Sequence, residues 1–264
     1  MNFDRISLSR RNLLKLSAMG LVAGGTAATS GCSSSVKPVA EAGIIGRNGE
    51  RVLPWSNWSG NQSCQPNERL LPRNEAELLD ILKNANQTIR CVGSGHSFSA
   101  LVPTDQTLLS LARLRGVENV DTTTGQADVL GGTRLSQLGK SLWEHGLSTI
   151  NMSDIDSQSF AGAIATSTHG TGRELGTLST QLRQMRFAST SGEIVDCSPD
   201  KNSDLFWAGG NHIGALGIMT RTRIQADPAY YIKEHSWMMS EEEGLERAAE
   251  LSRQHRHYEM YALP

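Results

Sequence analysis

Apolar residues between positions 75 and 85 recur at helical spacing, with Leu78, Leu79, Leu82 and Ala85 on one face. Asn74 precedes them and Glu77 follows three residues later, the spacing of a capping box, which predicts an amphipathic helix over 75–84. A second stripe, Leu135, Leu138 and Leu142, predicts another helix that ends at Gly146. Further helical patterns cover 202–207 and 242–254. Runs of strand type occupy 108–111, 117–121, 127–131 and 217–225, and 184–188 and 193–197 face each other across a Ser191-Gly192 turn. Two more strand-like stretches, 230–237 and 258–263, flank the last helix. Helices and strands mixed at such short spacing predict an α+β fold in place of a doubly wound parallel sheet.

The folded part is expected to start near Trp55, with a domain over 55–227 and a boundary at Asp227-Pro228. Residues 228–264 then number 37, fewer than the roughly 40 that usually fold alone. They are expected to be the beginning of a second domain that is cut short.

The first 31 residues read as an address. Ser9-Arg10-Arg11-Asn12-Leu13-Leu14-Lys15 resembles a twin-arginine export signal, followed by a segment too short and glycine-rich to anchor in a bilayer. Thr29-Ser30-Gly31-Cys32 resembles a lipoprotein cleavage box, although Thr29 stands where leucine is commonest. The expectation is an exported protein, periplasmic or membrane-anchored through lipid on Cys32, with 32–54 as a flexible tether. The formal charge is −2, and removing that address takes away more bases than acids, so electrostatics gives no reason to expect nucleic acid. Cys64 and Cys197 can be imagined as a disulfide in an oxidising compartment, but nothing in their positions requires one. No cysteine or histidine spacing matches a metal site.

Candidate chemistry concentrates in two glycine-rich stretches. In the first, an extended run at 88–90 feeds Cys91-Val92-Gly93-Ser94-Gly95-His96-Ser97-Phe98-Ser99. Glycines spaced by one serine let successive N–H groups face a common point, a nest suited to a phosphate or pyrophosphate, with His96 at its lip. A dinucleotide fingerprint is disfavoured, because its third glycine would stand at Phe98 and Pro103 stops a helix from opening there. A plain β-turn with His96 packed beside it satisfies the same residues. The second stretch runs from Asp154-Ile155-Asp156 through Gln158-Ser159, Ala161-Gly162-Ala163 and Thr166-Ser167-Thr168-His169-Gly170-Thr171-Gly172. Its small residues allow close approach to a flat ligand; a tightly packed glycine-rich turn, with His169 held by a backbone carbonyl, is the reading this stretch favours when taken alone.

With Gly214-Ala215-Leu216-Gly217 further on, these motifs in this order resemble the vanillyl-alcohol-oxidase-type (PCMH-type) FAD proteins, specifically their sugar-1,4-lactone oxidase and alditol oxidase branch. The resemblance covers about residues 55–263. It implies a two-subdomain FAD-binding domain followed by the start of an α+β substrate domain. It also implies that Val92, Gly93, Ser94, Gly95, His96, Ser97 and Phe98 bind the pyrophosphate, with His96 bonded covalently to the flavin 8α-methyl. Asp154, Ser159, Gly162, Thr166, Ser167, Thr168 and His169 would line the isoalloxazine and ribityl parts, and Ile218 would meet the adenosine end through its backbone.

The implied activity is oxidation of a hydroxyl on a sugar lactone or polyol, with hydride passing to flavin N5 and electrons then to oxygen or another acceptor. Ser153 departs from the glycine or alanine usual near the flavin face, which leaves oxidase and dehydrogenase both open. The Glu/Arg pair and lysine that serve substrate in this branch have no counterpart here, so catalytic residues are expected in a missing C-terminal part. A FAD-binding module without turnover is the alternative, and a secreted binding protein without flavin a more distant one.

Overall fold

Asn74 starts the first helix as its position predicts: its Oδ1 accepts the Glu77 N–H at 2.9 Å. The computed structural model describes residues 54–263, so the twin-arginine stretch, Cys32 and almost all of the expected tether lie outside the described residues. Helix α1 (Glu75–Lys83) is one residue shorter than expected. The reciprocal half of the capping box does not form, because the Glu77 carboxylate takes the Arg73 N–H at 2.8 Å instead of that of Asn74. Ala85 lies past the helix end and is exposed, and the apolar face is completed by Ile81.

Two sheets carry the part of the chain up to Tyr230. The smaller has the order β3-β5-β4, formed by Glu68–Leu70, Thr107–Ser110 and Ile89–Val92, with both pairings parallel. Its central strand, β5, buries Thr107, Leu108 and Leu109 in succession, as a strand covered on both faces must. The larger sheet is antiparallel, in the order β10-β9-β11-β7-β6. It comprises Ile194–Cys197, Leu182–Ala188, Ile218–Gln225, Gln126–Leu130 and Val117–Asp121. Two short pairs stand apart from both sheets: β1 (Trp55–Ser56) with β2 (Ser63–Cys64), and β8 (Leu147–Ser148) with β12 (Asp227–Pro228). The α+β expectation agrees with this architecture, whereas the β1–β2 hairpin and the short β3, β8 and β12 carry too few residues to show a period in the sequence.

Helices α2 (Leu135–Glu144), α3 (Phe160–Ala165) and α4 (Ser203–Gly209) cover one face of the larger sheet. Leu135, Leu138, Leu142, Ile164 and Phe206 pack there against Val129, Met185, Phe187, Met219 and Ile224. A separate apolar cluster joins α1 to both sheets, with Leu78 and Leu82 against Leu109 and Leu111 on one side and Ala188 and Ile218 on the other. Polar bonds reinforce that junction: Glu75 accepts from Thr220 Oγ1 at 2.5 Å, and its other oxygen pairs with Arg186, which grips Asp196 at 2.7 Å.

Contacts divide the chain after Tyr230, three residues beyond the expected boundary, because Asp227-Pro228 is paired as β12. The second unit, described over 231–263, is built on α5 (Glu241–Gln254), whose N-cap Ser240 accepts the Glu243 N–H at 3.1 Å. Residues 230–237 and 258–263 form no strand among the described residues, against expectation. An alternating pattern becomes a strand only when a neighbouring ladder takes its backbone groups.

Candidate functional site

Strand β4 ends at Val92 and delivers the chain into 93–99. A Cβ on Gly93 would lie 2.1 Å from Ser159 Oγ and 3.9 Å from the Gly162 Cα, so glycine is what allows this loop to lie against the start of α3. Gly95 has φ +71, left-handed backbone that an L side chain strains to adopt. Three of the loop's carbonyls are claimed by the β1–β2 hairpin. Trp58 N–H donates to Gly95 O at 2.8 Å, Asn57 Nδ2 to Ser97 O at 3.0 Å, and Asn61 Nδ2 and Gln62 Nε2 to Phe98 O at 3.1 and 3.3 Å. The main-chain N–H groups of Ser94 through Phe98, in contrast, donate to no acceptor among the described residues. A run of N–H groups without acceptors among the described residues, beside carbonyls at Gly95, Ser97 and Phe98 that are engaged, is the arrangement an anion completes.

His96 is held on two sides. Its Nε2 lies 2.9 Å from Ser157 Oγ, and its ring stacks on Trp58 with centroids 5.6 Å apart and planes 21° from parallel. Trp58 also meets Phe98 edge-on at 6.3 Å. Nothing in the sequence pattern marked Asn57, Trp58 or Ser157. The available signal was the polar run Ser56-Asn57-Trp58-Ser59-Gly60-Asn61-Gln62, dense in side chains that bond to nearby backbone. Asn57 is the buried residue of that run and organises it, its Oδ1 accepting the Gln62 N–H at 3.0 Å.

The second glycine-rich stretch is fastened to the start of α2. Leu135 and Ser136 N–H donate to Gln158 O and Asp156 O at 3.0 and 2.9 Å, and Phe160 N–H donates to Thr133 O at 2.7 Å. This anchorage brings Ser157, Ser159 and Gly162 to His96 and Gly93, so the two motifs converge although about 60 residues separate them. Thr166, Ser167 and Thr168 are tied to α3 itself: the Thr166 hydroxyl donates to Gly162 O at 3.0 Å, and the N–H groups of Ser167 and Thr168 donate to Ile164 O and Ala163 O. His169 is exposed, with Nδ1 at 2.9 Å from Gly170 O, the backbone tie that the packed-turn reading describes. Asp154 is exposed, and the Ser153 hydroxyl donates to Ile155 O at 2.6 Å. Val92 is buried behind the loop, and Ile218 opens β11 with its side chain in the α1 cluster, opposite Ala188.

Two further groups are explained by packing. Cys64 and Cys197 are free thiols, so the disulfide imagined between them is not formed; Cys197 is buried within the larger sheet's core, where its Sγ lies 3.6 Å from Met185 O. His212 is 6% exposed and meets Phe187 edge-on at 5.2 Å. Its Nδ1 accepts the Gly214 N–H at 3.0 Å, and burial pushes its pKa down to about 4, which keeps the ring neutral.

Comparison with known proteins gives this geometry a family. The FAD binding domain family matches residues 66–198. L-gulono-1,4-lactone dehydrogenase of Mycobacterium tuberculosis is 36% identical over 213 residues, 80% of this chain and 49% of its own. D-arabinono-1,4-lactone oxidase of Kluyveromyces lactis is 32% identical over 197 residues, 72% and 38% of the respective chains. L-gulonolactone oxidase of Bos taurus is 28% identical, over 75% of this chain and 46% of its own. The chain thus spans about half the length of the curated relatives it matches. Among solved structures, 6-hydroxy-D-nicotine oxidase of Arthrobacter nicotinovorans shares the fold with TM-score 0.57 at 19% identity, over 62% of this chain and 37% of its own. With the matched span taking in the 93–99 loop, the start of α3, the whole smaller sheet and every strand of the larger one except β11, the chain belongs to the family of PCMH-type FAD binding domains.

Proposed function

We propose that this protein is an oxidoreductase that uses FAD to oxidise a CH–OH group of a sugar lactone or polyol. The observation that carries the reading is the loop at 93–99, whose N–H groups from Ser94 to Phe98 have no acceptor among the described residues while His96 stands beside them. Those N–H groups fit the doubly charged pyrophosphate of FAD, and the bare Cα atoms of Gly93 and Gly162 let the loop and the start of α3 close on each other around Ser159, which holds the loop in place. Bound flavin would supply the hydride acceptor and pass electrons to oxygen or another acceptor. The chain's own residues would bind and orient it: His96 as the point of covalent attachment, Asp154, Ser159, Gly162 and Thr166 to His169 along the ring and ribityl chain, and the Ile218 backbone at the adenosine end. The relatives named for gulono- and arabinono-lactones favour a lactone as substrate. No residue of this chain is assigned as the base that takes the hydroxyl proton.

The test has two readings of one preparation. After acid precipitation, flavin should stay with the protein, and a His96→Ala variant should release it. Under anaerobic conditions at least one of a panel of aldonolactones and alditols should bleach the flavin absorbance. Bound flavin that no member of the panel reduces would favour the FAD-binding module without turnover, and absence of flavin would overturn the reading.

We further propose export by the twin-arginine route, with Cys32 as the lipid-bearing residue; the support is Arg10-Arg11 and the Ser30-Gly31-Cys32 box. Replacing both arginines by lysine is expected to hold the precursor in the cytoplasm on fractionation, and an unchanged distribution would point to another route.

A further inference from the structure

We infer that Ser157 and Trp58 are the positioning residues of His96: together they fix its ring plane and place its proton on Nε2, so that Nδ1 is the nitrogen presented to the flavin. The inference rests on the covalent attachment proposed above and deepens it, since attachment requires one ring nitrogen to be bare and held still.

The geometry distinguishes the two nitrogens. Nε2 is 2.9 Å from Ser157 Oγ, whereas Nδ1 makes no hydrogen bond among the described residues. A serine hydroxyl can donate or accept, so this contact alone suits either tautomer. The need for a bare nucleophile decides between them: with Nε2 occupied by Ser157, only Nδ1 is available, and the proton must sit on Nε2 and point at Ser157 Oγ. Trp58 restrains the remaining freedom. With planes 21° apart and centroids at 5.6 Å, the indole covers one face of the imidazole and opposes rotation about its side-chain torsions. The partners are themselves fixed. Trp58 N–H is bonded to Gly95 O, and Ser157 lies between Asp156 and Gln158, whose carbonyls accept from the first turn of α2. Ser157 thus approaches the ring from a segment anchored apart from the loop, and Trp58 from one tied to the loop's own backbone beside His96.

In such an attachment His96 Nδ1 would bond to the flavin's 8α carbon, which would lose a proton, and Nε2 would give up its own; the electron pair and two protons would reduce the flavin, and dioxygen would take them as hydrogen peroxide. A group that holds the Nε2 proton therefore acts on both the nucleophile and the proton that departs.

The experiment uses the full chain produced in a riboflavin-starved host, with FAD added afterwards. Nitrogen-15 spectra of the flavin-free protein should show His96 as the Nε2–H tautomer, and Ser157→Ala should convert it to a mixture. Attachment, followed as acid-stable flavin fluorescence, should slow at least tenfold in Ser157→Ala and recover in Ser157→Thr. Trp58→Phe should stay within about threefold of the wild type, whereas Trp58→Ala should slow attachment. A wild-type proton on Nδ1, or a Ser157→Ala variant with unchanged tautomer and rate, overturns the inference. Flavin that never becomes acid-stable in a wild type whose Ser157-dependent tautomer is Nε2–H overturns the attachment reading and leaves the positioning role standing.

Discussion

Replacing Gly93 by alanine should strip FAD from the protein while leaving both sheets folded. The added Cβ would stand 2.1 Å from Ser159 Oγ and 3.3 Å from its Cβ. Rotating the serine removes the first clash but not the second crowding, so the backbone of the loop must move by about an ångström away from α3. A nest of N–H groups acts only while those groups converge, and a displacement of that size breaks the convergence. The expected loss is at least a hundredfold in retention, about 2.7 kcal/mol. Flavin content per chain after gel filtration reads it, and far-UV circular dichroism should stay near the wild type. The double variant Gly93→Ala/Ser159→Gly removes the obstructing side chain and should regain much of the flavin. Equal flavin content in the wild type and the single variant would show that this approach is dispensable.

The same loop shows how far the sequence reaches. Gly93, Gly95 and His96 were legible because a glycine-serine-glycine run after a strand restricts what the backbone can do there. The helix stripes of α1 and α2 were legible for a similar local reason, since three or four apolar residues at one period specify a face. Ser157 and Trp58 were not legible: their roles depend on which residues lie across from His96, and that is set by pairing between segments distant in the chain. Asn57 illustrates the point further. An asparagine in a polar run reads as solvated, yet here it is buried because its amide replaces the ladder bonds that the 93–99 loop cannot make for itself. The strand-like segments at 230–237 and 258–263 show the converse failure, an alternating pattern with no ladder partner among the described residues.

Removing Arg223 should cost the fold about 3 kcal/mol near neutral pH, because its partner is the most deeply buried carboxylate of the larger sheet's ion pairs. The Asp128 side chain is 5% exposed, accepting from Arg223 at 2.7 and 3.0 Å and from Asn119 Nδ2 at 2.9 Å. Desolvation alone would raise the Asp128 pKa; the bonds from Arg223 and Asn119 overcome it and hold the pKa below the usual carboxylate value. In the wild type this pair therefore stabilises the fold above the unfolded pKa of about 3.9, and that contribution is lost as pH falls through the lower folded value. In Arg223→Met the carboxylate keeps one amide bond and its burial, so desolvation dominates and the folded pKa rises above the unfolded one. The sign of the pH dependence then inverts: over the window between about 3.9 and the raised value, the variant should gain stability as pH falls, where the wild type stays flat or declines. Breaking a fully buried pair costs about 3–5 kcal/mol; the guanidinium is 41% exposed, which places the expected loss at the lower end. For a domain of this size that corresponds to a drop of about 9 °C in Tm. The double variant Asp128→Val/Arg223→Met, with no charge left to strand, should come within about 1 kcal/mol of the wild type and show neither pH trend. A single variant as stable as the wild type at pH 7, or a double variant as unstable as the single, would show that the carboxylate is hydrated enough in the folded chain to stand without its partner.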